Sequence, residues 1–150
     1  PGIGLYGIDN DGKNLKIKSQ ILKLPLELYA PIIQIRYVSF GQPVSYGGIE
    51  TTKRKSKLAT IGIGYADGWL RLLKTNCTFS IKKQKCKIIG NITMDSFILD
   101  ITNVNENKLK EGDYLRLLDN SNVSKIIKNL DIISYELLTS IGQRIIRKYN

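Results

Sequence analysis

The chain has 150 residues, 42% of them apolar and 24% charged, which suits one globular domain with a real core and excludes a disordered or fibrous chain. It contains no histidine, so a Ser-His-Asp or Cys-His machine cannot be assembled from this chain by itself. Its formal charge of +10 attracts anions in general, from phosphorylated ligands to nucleic acid.

No apolar stretch approaches a membrane span, and no basic start with an apolar run and small-residue cleavage site marks a signal peptide. Pro1, rather than Met, fits a piece cut from a longer chain. Cys77 and Cys86 permit one disulfide but are too few for a disulfide scaffold. The favoured reading is two buried small hydrophobes in a reducing cytoplasm. No cluster has metal-ligand spacing, so no metal is expected.

From the start, Pro1 to Gly7 is Gly-rich and apolar, and Ile8 to Ser19 is polar and loop-like. Leu24 to Phe40 reads as one long strand or two bent ones, interrupted at Pro25 and Pro31. Gly41, Pro43, Gly47 and Gly48 punctuate a loop. Leu58 to Ile63, Cys77 to Ile81, Lys85 to Ile89, Phe97 to Ile101 and Tyr114 to Leu118 are short strands, with Glu111-Gly112-Asp113 as a turn. Their spacing predicts a mainly β protein, a closed or nearly closed Greek-key barrel of about six strands.

The end of the chain changes period. Ser124 to Leu130 has helical apolar spacing. Ser134 to Ile141 reads as a helix with Ser134 as N-cap, Glu136 in the first turn and Gly142 as the stop. Ile145 and Ile146 are expected to begin a closing strand.

The basic residues do not sit in one block, and eleven of them lie in three stretches: Lys13, Lys16 and Lys18; Lys53, Arg54, Lys55 and Lys57; Lys82, Lys83, Lys85 and Lys87. Each borders an apolar segment, which favours solvated turns and strand faces over a nucleic-acid surface. Gly2, Gly4 and Gly7 match G-x-G-x-x-G, but the next residues, Ile8 to Gly12, read as a turn and not a helix, so a Rossmann site is disfavoured. The amides of Gly2 and Ile3 remain suited to a phosphate, since glycine lets an anion approach closely.

Four further pieces are ordinary turns or core when taken singly: Val44-Ser45-Tyr46-Gly47-Gly48, Gly62 to Trp69 with Arg71 after it, Gly90 to Asp95, and Ile133-Ser134-Tyr135-Glu136. Their order is more specific. Y-G, then G-Y-A-D-G, then M-D before a strand, then Y-E-L-L-T-S-I with a later Arg, resembles the alanine racemase family. Pro1 to Gly7 resembles the segment that leaves that family's N-terminal barrel, so residues 1–7 are expected to be an exit segment and 8–150 the C-terminal β-domain.

The resemblance implies interconversion of L-alanine and D-alanine with pyridoxal 5'-phosphate, which a lysine of the missing N-terminal domain holds covalently. Inverting a stereocentre takes one acid–base group on each face. In the family these are that lysine and a tyrosine, which Tyr46 matches. Tyrosine as a residue type titrates near ~10 and needs cationic neighbours to work as a base. The family's neighbours for this purpose lie on the absent domain.

Tyr135 matches the tyrosine that bonds the cofactor phosphate, and Gly2 and Ile3 match residues whose amides do the same. Met94 matches a position whose amide meets the substrate carboxylate, with Asp95 as its partner in the motif. Tyr65, Arg71 and Ile133 match residues lining the access corridor. Asn91 departs from the pattern, since many relatives have arginine there.

The resemblance further implies a cytoplasmic homodimer in which Tyr46 and Met94 serve the opposite subunit's site, and a product destined for the cell wall. The chain alone is expected to be inactive, with no nucleic-acid or membrane partner. A basic β-barrel that binds nucleic acid is the alternative from another class. A domain of a PLP decarboxylase acting on basic amino acids is the third reading.

Overall fold

The structure, a computed structural model, describes residues 2–48, 50–81, 83–105 and 109–149. Pro1 of the exit segment and Lys82 of the third basic group lie outside the described residues. The chain opens with a 3₁₀ turn, Gly2–Tyr6, and then a small hairpin of β1 (Lys16–Ile17) and β2 (Gln20–Ile21). After strand β3 (Leu28–Val38) come β4 (Pro43–Val44), the 3₁₀ turn Tyr46–Gly48 and β5 (Glu50–Thr51), then β6 (Ser56–Ile61) and a third 3₁₀ turn, Tyr65–Asp67. Helix α1 (Leu73–Asn76) precedes β7 (Thr78–Ile81), β8 (Gln84–Ile89), β9 (Phe97–Asp100) and β10 (Tyr114–Leu118). The chain closes with α2 (Val123–Leu130) and α3 (Ser134–Ser140).

Six strands form one antiparallel sheet in the order β10-β3-β6-β9-β8-β7, curled into a nearly closed barrel. The hairpins β7-β8-β9 form a meander, and β6 lies against its last strand, which is the Greek-key arrangement. The long apolar run is one strand. Its first half pairs with β10 and its second half with β6, and the β3–β6 register shifts between Ile32 and Gln34. Pro31 is tolerated beside that shift, where its carbonyl accepts the Gly62 N–H at 2.9 Å.

Alternation sets the core. Leu28, Ala30 and Ile32 of β3 point inward, as do Leu115 and Leu117 of β10, and the register shift between Arg116 and Leu118 leaves Leu118 buried as well. Trp69, Phe79 and Phe97 sit at its centre with ring centroids 5.9–6.0 Å apart. Helix α2 buries Val123, Ile126, Ile127 and Leu130, one face at helical spacing. Cys77 and Cys86 are free and buried, and burial pushes both thiols up to about 11. No helix among the described residues is long and apolar enough to cross a membrane.

Three details differ from the sequence expectations. Ser134 is the first residue of α3, and Ile133 occupies the N-cap position. The Ser134 hydroxyl is instead buried and donates to the carbonyls of Asp9 and Asn10, at 2.6 and 3.0 Å. Ile145 and Ile146 form no strand, because this segment turns back to bond the Tyr65–Asp67 loop. Lys57 is not a solvated basic residue: it is buried, with its ammonium 5.7 Å from the centre of the Tyr37 ring.

Candidate active site

Two clusters gather the residues singled out in the sequence. The first joins the two ends of the chain. The Ile3 N–H donates to the Tyr135 hydroxyl at 2.9 Å. Gly2 has φ +49, and a Cβ there would stand 2.6 Å from the same hydroxyl. Glycine is therefore favoured by its backbone conformation, and any side chain there would also have to displace the Tyr135 hydroxyl. Tyr135 reaches this point because Ser134 pins the start of α3 to Asp9 and Asn10. Ile133, one residue before the helix, is exposed beside it.

The Tyr135 oxygen accepts the Ile3 N–H and its own proton stays available to donate, at a corner partly open to solvent, which is the chemistry an anion such as phosphate requires. The neighbouring cleft of about 380 Å³ does not suit the same anion, because Asp9 and Asp11 line it. Asp9 there serves the turn, accepting the N–H groups of Asp11 and Lys13 at 3.0 and 2.8 Å.

The second cluster assembles three loops, those that carry Tyr46, Tyr65 and Met94. The Tyr65 N–H donates to the Thr93 carbonyl and the Ala66 N–H to the Met94 carbonyl, both at 3.0 Å. A side chain at Gly64 would collide with those two carbonyls, so the G-Y-A-D-G loop can lie flat on the M-D loop. Tyr46 joins through Asn91: the Ser45 hydroxyl donates to the Asn91 carbonyl at 3.0 Å, and the Asn91 amide to the Tyr46 carbonyl at 3.4 Å. Tyr46, at 78% exposed, and Met94, at 52%, are free to meet something outside the chain.

Asp67 and Arg144 were missed. In the sequence, Asp67 reads as part of a turn dipeptide. In the fold it is buried, and its carboxylate accepts the Gly64 N–H at 2.9 Å and pairs with Arg144 at 3.2 Å. Arg144 also bonds Asp95 at 2.7 Å, so one guanidinium ties the G-Y-A-D-G loop to the M-D loop. The bond to Asp95, and then the charge of Asp67, raise the Arg144 pKa above its ordinary value. The only sequence signal was the arginine that comes after Y-E-L-L-T-S-I.

Arg71 is exposed, and its guanidinium makes no hydrogen bond or ion pair among the described residues. No hydrogen bond or ion pair among them directly joins the Tyr135 cluster to the Tyr46 cluster. They are connected through α3, whose end bonds the second cluster by Ser140 to the Gly68 carbonyl and Gly142 to the Asp67 carbonyl.

A curled β-barrel joins its two chain ends through Ile3 and Tyr135 and carries an exposed tyrosine loop apart from them. The profile of the family described as alanine racemase, C-terminal domain, matches residues 25–149, and the chain belongs to that family. It is 37% identical over 160 residues to the alanine racemase of Brucella ovis, covering 99% of this chain and 40% of that relative. The crystal structure of alanine racemase from Bartonella henselae with covalently bound pyridoxal phosphate superposes with a TM-score of 0.83. It is 38% identical, covering 100% of this chain and 41% of that one. Alanine racemase from E. faecalis gives a TM-score of 0.83 at 30% identity, covering 99% of this chain and 40% of that one. The chain thus spans about 40% of the length of the relatives it matches.

Proposed function

We propose that this chain is the C-terminal domain of an alanine racemase and that its parent interconverts L-alanine and D-alanine. The convergence of Gly2, Ile3 and Tyr135 on one point, open to a phosphate, carries the reading. Pyridoxal phosphate, when bound, accepts the electrons left as the α-proton departs. The chain's own residues do the rest of their share. Tyr135 and the amides of Gly2 and Ile3 hold the phosphate. The Met94 amide holds the substrate carboxylate, with Asp95 fixing its loop. The Tyr46 hydroxyl moves the proton on one face.

Tyr65, Arg71 and Ile133 line the way in. Residues 1–7 lead out of an N-terminal barrel and 8–150 form the domain, which completes its site in a cytoplasmic homodimer by lending Tyr46 and Met94 to the opposite subunit. The exposure of those two side chains supports this. D-alanine then feeds cell-wall synthesis.

Without the lysine that anchors the cofactor, the chain alone gives no racemisation when supplied with pyridoxal phosphate. Borohydride reduction and then mass spectrometry should find no stoichiometric adduct on one lysine; a single saturable adduct with turnover would sink the reading. In the full-length parent, Tyr46→Phe removes one hydroxyl and should slow racemisation by about 10²–10⁴-fold in both directions. Deuterium wash-in from solvent should then become slow for L-alanine and persist for D-alanine. Equal exchange of both isomers with normal racemisation would leave Tyr46 a loop residue.

A further inference from the structure

We propose that Lys74 is the positioning residue for the Tyr46 loop and acts through the side-chain amide of Asn91. The inference rests on the reading that Tyr46 does chemistry, but its geometry stands apart from that reading. The loop needs an external hold. Ser45 has φ +66, Gly47 φ +80 and Gly48 φ +55, and for serine this backbone conformation is costly. Tyr46 itself is largely exposed, so packing does little to fix it.

The hold on the loop passes through Asn91 and Gly90. The Asn91 carbonyl accepts the Ser45 hydroxyl, and the Asn91 amide NH₂ donates to the Tyr46 carbonyl. Gly90, at φ +75, lies so close to Ser45 that a Cβ would stand 2.5 Å from the serine Cβ. Its N–H donates to the Glu50 carboxylate at 2.9 Å, on the strand that leaves the loop.

The Lys74 ammonium sits between these two supports. It donates to Asn91 Oδ1 at 3.0 Å and pairs with Glu50 at 3.6 Å. An ammonium only donates, so it decides which way the Asn91 amide faces. With Oδ1 turned to Lys74, the NH₂ must face Tyr46. With Lys74 gone, only the long 3.4 Å bond to the Tyr46 carbonyl holds the amide in this orientation, so the amide loses its main constraint. Lys74 comes from α1, which packs on α2, so the anchor is part of the rigid core. Asn91 alone, seen in the sequence as a lost cation, is half of a two-residue device.

The test measures amide hydrogen exchange of residues 44–48 in the full chain and in Lys74→Met, Lys74→Arg, Asn91→Leu and the Lys74→Met/Asn91→Leu double variant. Loss of a hydrogen bond to a charged group should speed loop exchange in Lys74→Met about tenfold, with β6 and β9 unaltered. Lys74→Arg should restore protection. Asn91→Leu should match Lys74→Met, and the double variant should be no faster than either, because both act through one contact. Unchanged exchange in Lys74→Met, or additive effects in the double variant, would overturn the proposal. If Lys74→Met does not fold, Lys74→Ala makes the same comparison, since alanine also offers Asn91 no donor. In the full-length parent, Lys74→Met should lower kcat and leave KM unaltered. A parent that loses no activity in Tyr46→Phe but has a loosened loop in Lys74→Met would overturn the role of Tyr46 and leave that of Lys74 standing.

Discussion

The Ile3 N–H donates to the hydroxyl of Tyr135 across 2.9 Å, which joins residues 132 positions apart at the corner proposed to hold the phosphate. Tyr135→Phe keeps the ring on α3 and removes the donor. In the full-length parent, pyridoxal phosphate should dissociate about tenfold more readily, the cost of one hydrogen bond to a charged group. Equilibrium dialysis measures this. Gly2→Ala should do more harm than Tyr135→Phe, because it strains a backbone at φ +49 and displaces the tyrosine as well.

The Asp67 carboxylate can be separated from its partner by mutation. Asp67→Ala leaves the buried Gly64 N–H without its acceptor and should destabilise the domain by about 1–3 kcal/mol in urea denaturation. Arg144→Met should be milder, since it leaves that bond in place. Arg144→Lys should restore only part of the loss, because a point charge does not bridge Asp67 and Asp95 as a planar fork does. An Arg144→Lys variant as stable as the unaltered chain would show that charge alone suffices.

Much of this was legible in the sequence, for physical reasons. Strand β10 came out with its full bounds, because Tyr114 to Leu117 alternates and Gly112, at φ +88, marks the turn before it. The family pieces also singled out loops that the fold brings together, Tyr46 and Met94 among them. Long-range polar contacts were not legible. Nothing local says that Arg144 reaches Asp95 across 49 positions, or that the Ser134 hydroxyl turns away from its own helix to bond Asp9 and Asn10. Ile145 and Ile146 have strand-like residue types, but the contacts of Gly142 and Arg144 direct the backbone elsewhere.

The two thiols give a pH prediction with a definite sign. Burial raises both from 9.0 to about 11, so the folded state resists forming the thiolate. An acid whose folded pKa is raised contributes its stability in full below pH 9 and loses it as pH rises from 9 towards 11. Stability should therefore fall over that window, and Cys77→Ser/Cys86→Ser should flatten the fall. At a pH of about 8, below the ordinary thiol value, a disulfide reagent should label neither thiol until the chain is unfolded. Prompt labelling of either in the native chain would contradict their burial.

Gly90→Ala tests the Tyr46 loop from the opposite side to Lys74. Gly90 has φ +75, which alanine adopts only with strain, and the added methyl would meet the Ser45 side chain at 2.5 Å and the Val44 carbonyl at 2.9 Å. The strain of the left-handed conformation alone costs about 1–2 kcal/mol. Part of the collision can be relieved by moving the loop, because residues 46–48 are exposed, whereas Ile88 and Ile89 behind Gly90 are held in the core. The variant should therefore fold, with a lowered urea midpoint and an unchanged m-value, and with its disturbance concentrated at residues 44–48. In the full-length parent, racemisation should fall far more than stability does, since a tyrosine displaced by even about 1 Å loses much of its proton-transfer rate. A Gly90→Ala variant with full activity and unaltered exchange at 44–48 would mean that Ser45 and Gly90 are not in contact in solution.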